Sequence, residues 1–293
     1  MRNTSSAELA PASKSNAPLA TAECPDASVI VYSPFKPWFK FDYGPEGGDC
    51  WSAAICTLGQ ADAARNQQFA ATALVMGLLP IFFRDIAWPE KRVVLVSRPL
   101  PALAEVLVRA LGLEPVVNGN VAGWSDEDVQ RWLDWVSSSA ITAASVRTQS
   151  KKQLVVAVSS AALLISYAAL ALVEIYSKRS ALGCVYPVIA LTWFLIAVAP
   201  AALHVLFEGY RRRKAKDGVN VTRASAVQGA DQAWPVQFGW AVYYIIGTLV
   251  YTSIMAITPL ELFVWVVVTA VVTGTSKMLG LYICLMLRNP VQV

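Results

Sequence analysis

The second half of the chain contains four long apolar runs that carry almost no charged residue. They cover residues 154–173, 182–207, 238–257 and 262–287. At about 1.5 Å of rise per residue, a helix of this length crosses the roughly 30 Å hydrocarbon core of a bilayer. A buried helix of a soluble domain rarely needs more than about 14 consecutive apolar residues. The pattern therefore predicts four transmembrane helices within residues 153–293.

A fifth apolar segment lies in the first half of the chain, over residues 59–84. Its uncharged part, 66–83, is just long enough to cross a bilayer, and Pro80 lies near its end. Membrane helices tolerate a proline where neighbouring groups satisfy the freed carbonyl. We interpret this segment as the first span, and a re-entrant or surface-lying helix is the alternative.

Residues 1–58 are predicted to form an irregular N-terminal segment. Residues 1–28 are rich in Ala, Ser and Pro, have no apolar signal-like core, and are predicted to be a disordered tail. Aromatic residues and prolines then alternate from Tyr32 to Pro45, and these prolines exclude a regular helix. Because Trp and Tyr favour the membrane–water interface, this stretch either lies along the lipid headgroups or folds back onto the helices.

Residues 85–152 have mixed charge, and two amphipathic helices are predicted in them. The first runs from Pro99 to Leu113, where Glu105 and Arg109 form an i,i+4 pair. Its apolar positions recur at helical spacing and are Leu100, Leu103, Leu107, Ala110 and Leu111. The second begins at Ser125, a favourable N-cap, and its apolar face consists of Val129, Trp132, Leu133 and Val136. We expect these helices to lie on the cytosolic membrane surface or to form a small soluble cap.

The composition agrees with an all-α, polytopic transmembrane bundle of about five spans with one or two interfacial helices. The hydrophobic share of the chain is 56%, and only 15% of its residues are charged. The net charge of +4 is small, so the chain lacks the basic surface that nucleic-acid binding requires. The predicted partner is the lipid bilayer, and the pattern identifies no protein partner.

Basic residues predict the direction in which the helices cross the membrane. The largest basic cluster lies in a loop predicted over 208–236 and consists of Arg211, Arg212, Arg213, Lys214 and Lys216. Short loops rich in Lys and Arg stay cytosolic and attract anionic lipids. Five spans then place the N-terminus in the lumen or outside the cell and the C-terminus in the cytosol. Lys178 and Arg179 fall on the opposite face, where the larger cluster outweighs them.

The cysteines and the glycosylation sequons depend on this orientation. Cys50 and Cys56 could form a disulfide only if their region faces an oxidising compartment. Cys184 and Cys284 lie within the apolar runs and are predicted to be packing residues. Asn3 begins a sequon that would be lumenal, whereas the sequon at Asn220 lies in the basic loop and is expected to stay unmodified.

Ionisable and hydroxyl side chains inside the spans are the candidates for chemistry. His204 is the single histidine of the chain and could act as a base, but no acidic partner lies at a fixed spacing. Lys277 either extends its long stem to the interface or faces the bundle and holds an anionic group, and we prefer the first. Tyr243, Tyr244 and Tyr251 would line an active site if the bundle contains one. No cofactor or metal motif is present in the sequence.

Five short motifs between residues 56 and 115 carry a resemblance to a known group. They are Cys56-Thr57-Leu58, Gln68-Phe69-Ala70-Ala71-Thr72, Gly77-Leu78-Leu79-Pro80, Ser97-Arg98-Pro99-Leu100 and Leu111-Gly112-Leu113. Together they resemble a large group of multi-pass membrane proteins of filamentous fungi. The resemblance implies a fungal source and no catalytic residue. The chain departs from that group at Asp85–Glu90, where a more apolar linker is expected.

The sequence thus predicts an integral membrane protein with an accessory, scaffolding or lipid-contacting role. One alternative is a small membrane enzyme that acts on a lipophilic metabolite, in fungal secondary metabolism. A second alternative is an oligomeric transporter or channel, which would require a continuous polar path across the membrane.

Overall fold

The computed structural model describes residues 24–40, 50–85, 101–115, 149–177, 184, 186–216 and 233–287. This part of the chain consists of helices, turns and loops, with no β-strand. A short 3-10 helix spans Trp38–Lys40. The α-helices are α1 (Ala27–Ile30), α2 (Cys50–Gln60), α3 (Ala63–Asp85), α4 (Ala102–Gly112), α5 (Gln149–Tyr176), α6 (Ile189–Ile196), α7 (Val198–Lys216), α8 (Trp234–Thr252) and α9 (Pro259–Leu287).

Four helical segments are long and apolar enough to cross a membrane. They are Ala63–Arg84, Gln153–Tyr176, Ile189–Phe207 and Pro259–Ile283. The first of them confirms that the segment predicted over 59–84 is a helix of spanning length. The protein is therefore an all-α, multi-pass integral membrane protein, as the hydrophobic pattern predicts.

Helix α8 differs from the expectation for the run 238–257. It begins at Trp234, ends at Thr252 and carries no charged residue, but it is not among the four helices apolar enough to span. Its Trp, Tyr and Gln residues lower its hydropathy. The helix also ends at Thr252, so residues 253–257 of the predicted run lie beyond it. A span over 238–257 therefore stays a prediction.

The long helices form a ring. Helix α5 packs on α9, α9 on α3, α3 on α8, and α8 on α6 and α7. Two contacts close the ring, because α6 reaches α5 near one end while α4 lies between α7 and α9 near the other. We call the end of the bundle at which α1 and α2 lie the cap end. The opposite end, at which α7 reaches Lys216, is the basic end.

One span, Ile189–Phe207, is interrupted near its middle, where α6 stops at Ile196 and α7 starts at Val198. Pro200 accounts for this break, since it has no N–H for the Ile196 carbonyl and its ring crowds the preceding turn. Close packing continues across the break. Ala197 and Ala201, a pair of small residues one turn apart, are fully buried. A similar pair on α5, Ala157 and Ala161, is exposed.

The cap, which consists of α1, the 3-10 helix and α2, attaches to the bundle through the start of α9. Thr258 and Glu261 form a capping box: the Glu261 carboxylate accepts from the Thr258 backbone N–H at 2.6 Å and from its hydroxyl at 2.9 Å. The second Glu261 oxygen accepts from the backbone N–H of Phe35 at 2.8 Å. Phe35 has a φ of 52°, a left-handed conformation that is uncommon outside glycine, and this bond holds it there.

Two boundaries predicted from the sequence require correction. Residues 24–28, predicted as part of the disordered tail, include the start of α1, whose N-cap Asp26 accepts from the Ser28 backbone N–H. The basic loop predicted from residue 208 is helical as far as Lys216, because α7 continues through the basic residues. The second amphipathic helix, predicted from Ser125, lies outside the described residues.

The core of the bundle is aromatic. Trp193 on α6 stacks on Tyr243 of α8 with 4.9 Å between ring centroids, and its indole N–H donates to the Tyr243 carbonyl at 3.0 Å. Gly247, one helical turn from Tyr243, makes room for this indole. A Cβ at Gly247 would lie 2.5–2.7 Å from the Trp193 ring.

We predict that Gly247→Ala destabilises the bundle. The added methyl group would have to displace the buried Trp193 ring, and overpacking of this kind costs about 1–3 kcal/mol. Thermal unfolding in detergent, followed by Trp fluorescence, should show a lower Tm. Gly274→Ala on α9 is the matched control, because nothing lies within 4 Å of its Cβ position. Equal Tm values for the two variants would contradict this account of the core.

Candidate functional site

Helix α4 packs between α7 and α9, near the basic end of the bundle. Two of its leucines point outward, with Leu103 82% exposed and Leu107 42% exposed, while Glu105 and Arg109 are buried at 3% and 5%. The predicted apolar face is therefore not the face by which α4 packs on the bundle. That α4 lies on the cytosolic membrane surface stays a prediction.

Four ionisable side chains meet on the buried face of α4 and form what we call the ionic cluster. It consists of Glu105, Arg109, Glu114 and His204. Arg109 Nη2 donates to Glu105 at 3.0 Å, and Nη1 donates to both Glu114 oxygens at 2.9 and 2.8 Å. The predicted i,i+4 pair of Glu105 and Arg109 is confirmed, but it is buried.

The end of α4 brings Glu114 back to Arg109. Leu113 adopts a left-handed conformation with φ 47° and ψ 56°, and its N–H donates to the Ala110 carbonyl. The Glu114 N–H donates to the Arg109 carbonyl at 3.3 Å, as in a Schellman-type helix end. This turn folds the chain back, so Glu114 and Glu105 both reach the guanidinium group of Arg109.

The cluster holds Arg109 in its charged form. Burial alone would lower the pKa of Arg109, but the opposite charges and hydrogen bonds of Glu114 and Glu105 raise this pKa above its ordinary value. One cation and two carboxylates therefore share a site from which water is largely excluded. Removing one member would leave the others buried without compensation.

His204 of α7 completes the cluster. Arg109 Nη1 lies 3.3 Å from Nδ1 and 3.2 Å from Nε2 of the imidazole, so the guanidinium group lies against the ring instead of pointing at one nitrogen. His204 Nδ1 is also 3.7 Å from a Glu114 oxygen. The acidic partner absent from the local sequence thus comes from a segment about ninety positions earlier in the chain.

Lys277 faces the bundle interior, so the preference for an extension to the interface was wrong. It is 4% exposed, and its ammonium group donates to the carbonyls of Phe83 at 2.9 Å and Arg84 at 3.4 Å. These carbonyls belong to the last turn of α3, where free carbonyls and the helix dipole attract a cation. Lys277 therefore caps a helix end through neutral backbone carbonyls, whereas the second alternative expected an anionic group.

The three candidate tyrosines lie in the core. The Tyr244 hydroxyl donates to the Leu113 carbonyl at 2.8 Å, which ties the end of α4 to α8. Tyr243 stacks on Trp193, and the Tyr251 ring packs edge-on against the rings of Trp193 and Trp265. The structure therefore places Tyr244 next to α4 and the other two in the aromatic centre.

The cysteine pairing differs from the one considered from the sequence. Cys50 is bonded to Cys184, and Cys56 is bonded to Cys24, with Cα–Cα distances of 5.2 and 5.5 Å. Cys50 and Cys56 thus do not pair with each other, because both lie on α2 and each faces a different segment. Cys184, predicted to be a packing residue within a span, lies before α6 and anchors the cap.

Some predicted site residues cannot be placed in this geometry. Asn3 and Asn220 lie outside the described residues, as do Lys178 and Arg179. For Arg211, Arg212, Arg213, Lys214 and Lys216 the structure gives the helical backbone only. Within the described ranges, no group of three His, Cys, Asp or Glu side chains is arranged to hold a metal ion.

Glu114 and Glu174 are the polar residues that sequence reasoning missed. Glu174 is 4% exposed, and its two oxygens accept from the Ala190 backbone N–H at 3.0 and 3.2 Å. It thereby caps the start of α6, whose own N-cap Val188 has no capping side chain. The available signal for Glu174 was a carboxylate directly after the predicted run 154–173.

Comparisons with family models, with curated proteins and with solved structures gave no match. The resemblance to a group of fungal membrane proteins therefore stays a prediction.

We predict that Arg109→Met strongly destabilises the protein, because it leaves Glu105 and Glu114 buried without a counter-charge. Breaking a buried ionic group by removing one partner typically costs about 3–5 kcal/mol. Thermal unfolding in detergent should show a large fall in Tm. The triple variant Arg109→Met, Glu105→Gln, Glu114→Gln should recover much of this loss. A single Arg109→Met variant as stable as the parent would contradict the role of the ionic cluster.

Proposed function

We propose that this protein is a non-catalytic, accessory membrane protein with a disulfide-bonded cap on its extracytoplasmic side and an anionic-lipid contact on its cytosolic side. The observation that carries the first part is the use of its ionisable residues. Lys277 binds the end of α3, Arg109 binds Glu105 and Glu114, and Glu174 binds the start of α6. Lys277 and Glu174 each join two helices, and Arg109 fixes the end of α4 and contacts His204 of α7, which supports a structural role.

The enzyme alternative has less support from the geometry. A catalytic tyrosine needs a substrate beside its hydroxyl, but the rings of Tyr243 and Tyr251 are packed against Trp193 and Trp265 in the aromatic core. His204, the candidate base, lies against the guanidinium group of Arg109. A role in fungal secondary metabolism stays a prediction.

Two independent criteria support the same orientation of the chain. Disulfides persist in oxidising compartments, so the cap end, which carries the Cys50–Cys184 bond, belongs in the lumen or outside the cell. Basic segments beside a span stay cytosolic, and the segment 211–216 follows the span that begins just after Cys184. The disulfide and the basic segment lie at opposite ends of one span. The inferred orientation therefore does not depend on how the other helices cross the membrane.

The lipid contact follows from the continuity of α7. This helix leaves the apolar segment at Phe207 and continues as a helix through five basic residues to Lys216. A basic helix end at the membrane surface attracts anionic headgroups, with about 1 kcal/mol for each Lys or Arg near the surface.

The orientation can be tested with a freed thiol. In Cys50→Ser, we expect Cys184 to react with a membrane-impermeant maleimide added to the extracytoplasmic side of sealed vesicles. The unmodified chain should not react from that side, since Cys184 is bonded there, and neither should the Cys50→Ser, Cys184→Ser double variant. Reaction of Cys184 only from the cytosolic side would contradict the proposed orientation.

The lipid contact can be tested by charge removal at either end of the bundle. We expect Arg211→Gln, Arg212→Gln, Arg213→Gln to lose most of the anionic lipid that copurifies in mild detergent, as measured by mass spectrometry. At about 1 kcal/mol per residue, the lost preference is roughly 100-fold. Lys178→Gln, Arg179→Gln is the control, because it removes charge from the cap side. Equal retention by both variants would contradict the proposal.

A further inference from the structure

A row of polar groups crosses the middle of the bundle between α8 and α9. We call it the hydroxyl seam, and its members are Tyr243 and Tyr251 from α8 and Trp265, Thr269 and Thr273 from α9. Each of these residues is at most 3% exposed. The seam lies between Glu174 near the cap end and Lys277, which follows Thr273 by one helical turn.

The spacing along both helices directs these side chains toward each other. Tyr243 and Tyr251 are eight positions apart on α8, and the three α9 residues recur every four positions, so each set shares a helix face. The rings of Tyr251 and Trp265 meet edge-on at 5.9 Å between centroids. The Tyr251 hydroxyl approaches that of Thr269, but the two do not meet hydrogen-bond geometry. The two faces therefore meet in the bundle centre.

The polar atoms of the seam have no hydrogen-bond partner of proper geometry within the described protein. This holds for the hydroxyls of Tyr243, Tyr251, Thr269 and Thr273 and for the indole N–H of Trp265. A buried polar group without a partner loses its hydration and gains nothing in return. Five such groups in one place would make this part of the bundle unusually costly.

Other hydroxyls in the same bundle do have a hydrogen-bond partner. Thr192, Thr252 and Thr275 donate to the carbonyl four residues earlier on their own helices, at 3.0, 2.6 and 2.8 Å. Thr269 and Thr273 lie on the same helix as Thr275, yet their hydroxyls make no such bond. Their hydroxyls therefore have no partner on their own helix, on the helix face that also carries Trp265.

The chemistry of the seam defines what it can bind. The indole N–H only donates, a hydroxyl both donates and accepts, and no member of the seam is charged. A suitable occupant is neutral and offers both acceptor and donor groups. It must also be very small, because the rings of Tyr251, Trp193 and Trp265 already pack against one another. Water meets all these conditions, and buried waters typically bind two to four otherwise unsatisfied polar groups.

We propose that the hydroxyl seam binds a row of water molecules in the middle of the membrane. This site goes beyond the accessory role, since a scaffold does not need a hydrated interior. It gives the bundle a polar interior that extends from the region of Glu174 toward Lys277.

The proposal can be tested by radiolytic hydroxyl-radical labelling of the full chain in lipid nanodiscs, read by mass spectrometry. Radicals form from water, so a buried side chain is oxidised only where water is bound beside it. We expect Tyr251 to be oxidised. Met76 is an internal dry control, because it is fully buried in the apolar cluster and its sulfur is more readily oxidised. Tyr251 left unmodified at doses that oxidise the exposed Trp51 would overturn the proposal.

Two valine variants locate the water. Thr269→Val keeps the shape of the side chain and removes a seam hydroxyl, and we expect the oxidation of Tyr251 to fall severalfold. Thr275→Val is the matched control, because its hydroxyl already bonds to Val271, and Tyr251 oxidation should be unchanged. Equal oxidation of Tyr251 in the two variants would count against the seam as the binding site. An increase in Tm for Thr269→Val, with Tyr251 unlabelled in the parent, would indicate a dry seam.

Discussion

The structure depends on the burial of charged groups together with their partners inside the protein. Arg109 shows this most fully, because its guanidinium group bonds to Glu105 and Glu114 and lies against His204. The two glutamates belong to α4 and its end, whereas His204 belongs to α7. Tyr244 of α8 and Ser276 of α9 also donate to carbonyls at the end of α4, so three helices hold it in place.

The same requirement explains why charged residues lie at helix ends. Glu261 caps the start of α9, Glu174 caps the start of α6, and Lys277 binds the last carbonyls of α3. In each case a charge meets the helix terminus of opposite polarity. Two of these three interactions join separate helices. Inside a bilayer the hydrophobic effect does not drive helices together, so polar interactions of this kind contribute to their association. Aromatic packing around Trp193 fills the space between them.

Much of the fold could be predicted from the sequence, because the length of an apolar run depends only on local residues. The helix over 59–84 and three of the four long runs were predicted in this way and are confirmed as spanning-length helices. For helix α4, periodicity gave an apolar face but could not show which face of the helix packs on the protein. Leu103 therefore faces outward where a soluble protein would bury it.

The candidate site was harder to predict, because its partners are far apart in sequence. Nothing near His204 indicates Glu114, and nothing near Cys50 indicates Cys184. A lysine in a span can extend to the membrane interface or face the bundle interior. Lys277 faces the interior because the end of α3, whose carbonyls it binds, lies there. Pairing of this kind is a property of the tertiary structure.

The bond between Cys50 and Cys184 has a consequence for biosynthesis. The two cysteines are 134 positions apart, so the ribosome releases Cys50 long before its partner exists. During that interval the thiol of Cys50 is available for exchange with Cys24 and Cys56. Correct maturation therefore requires either that a thiol oxidoreductase keeps Cys50 free or that early, mismatched pairs are reshuffled once translation has passed residue 184.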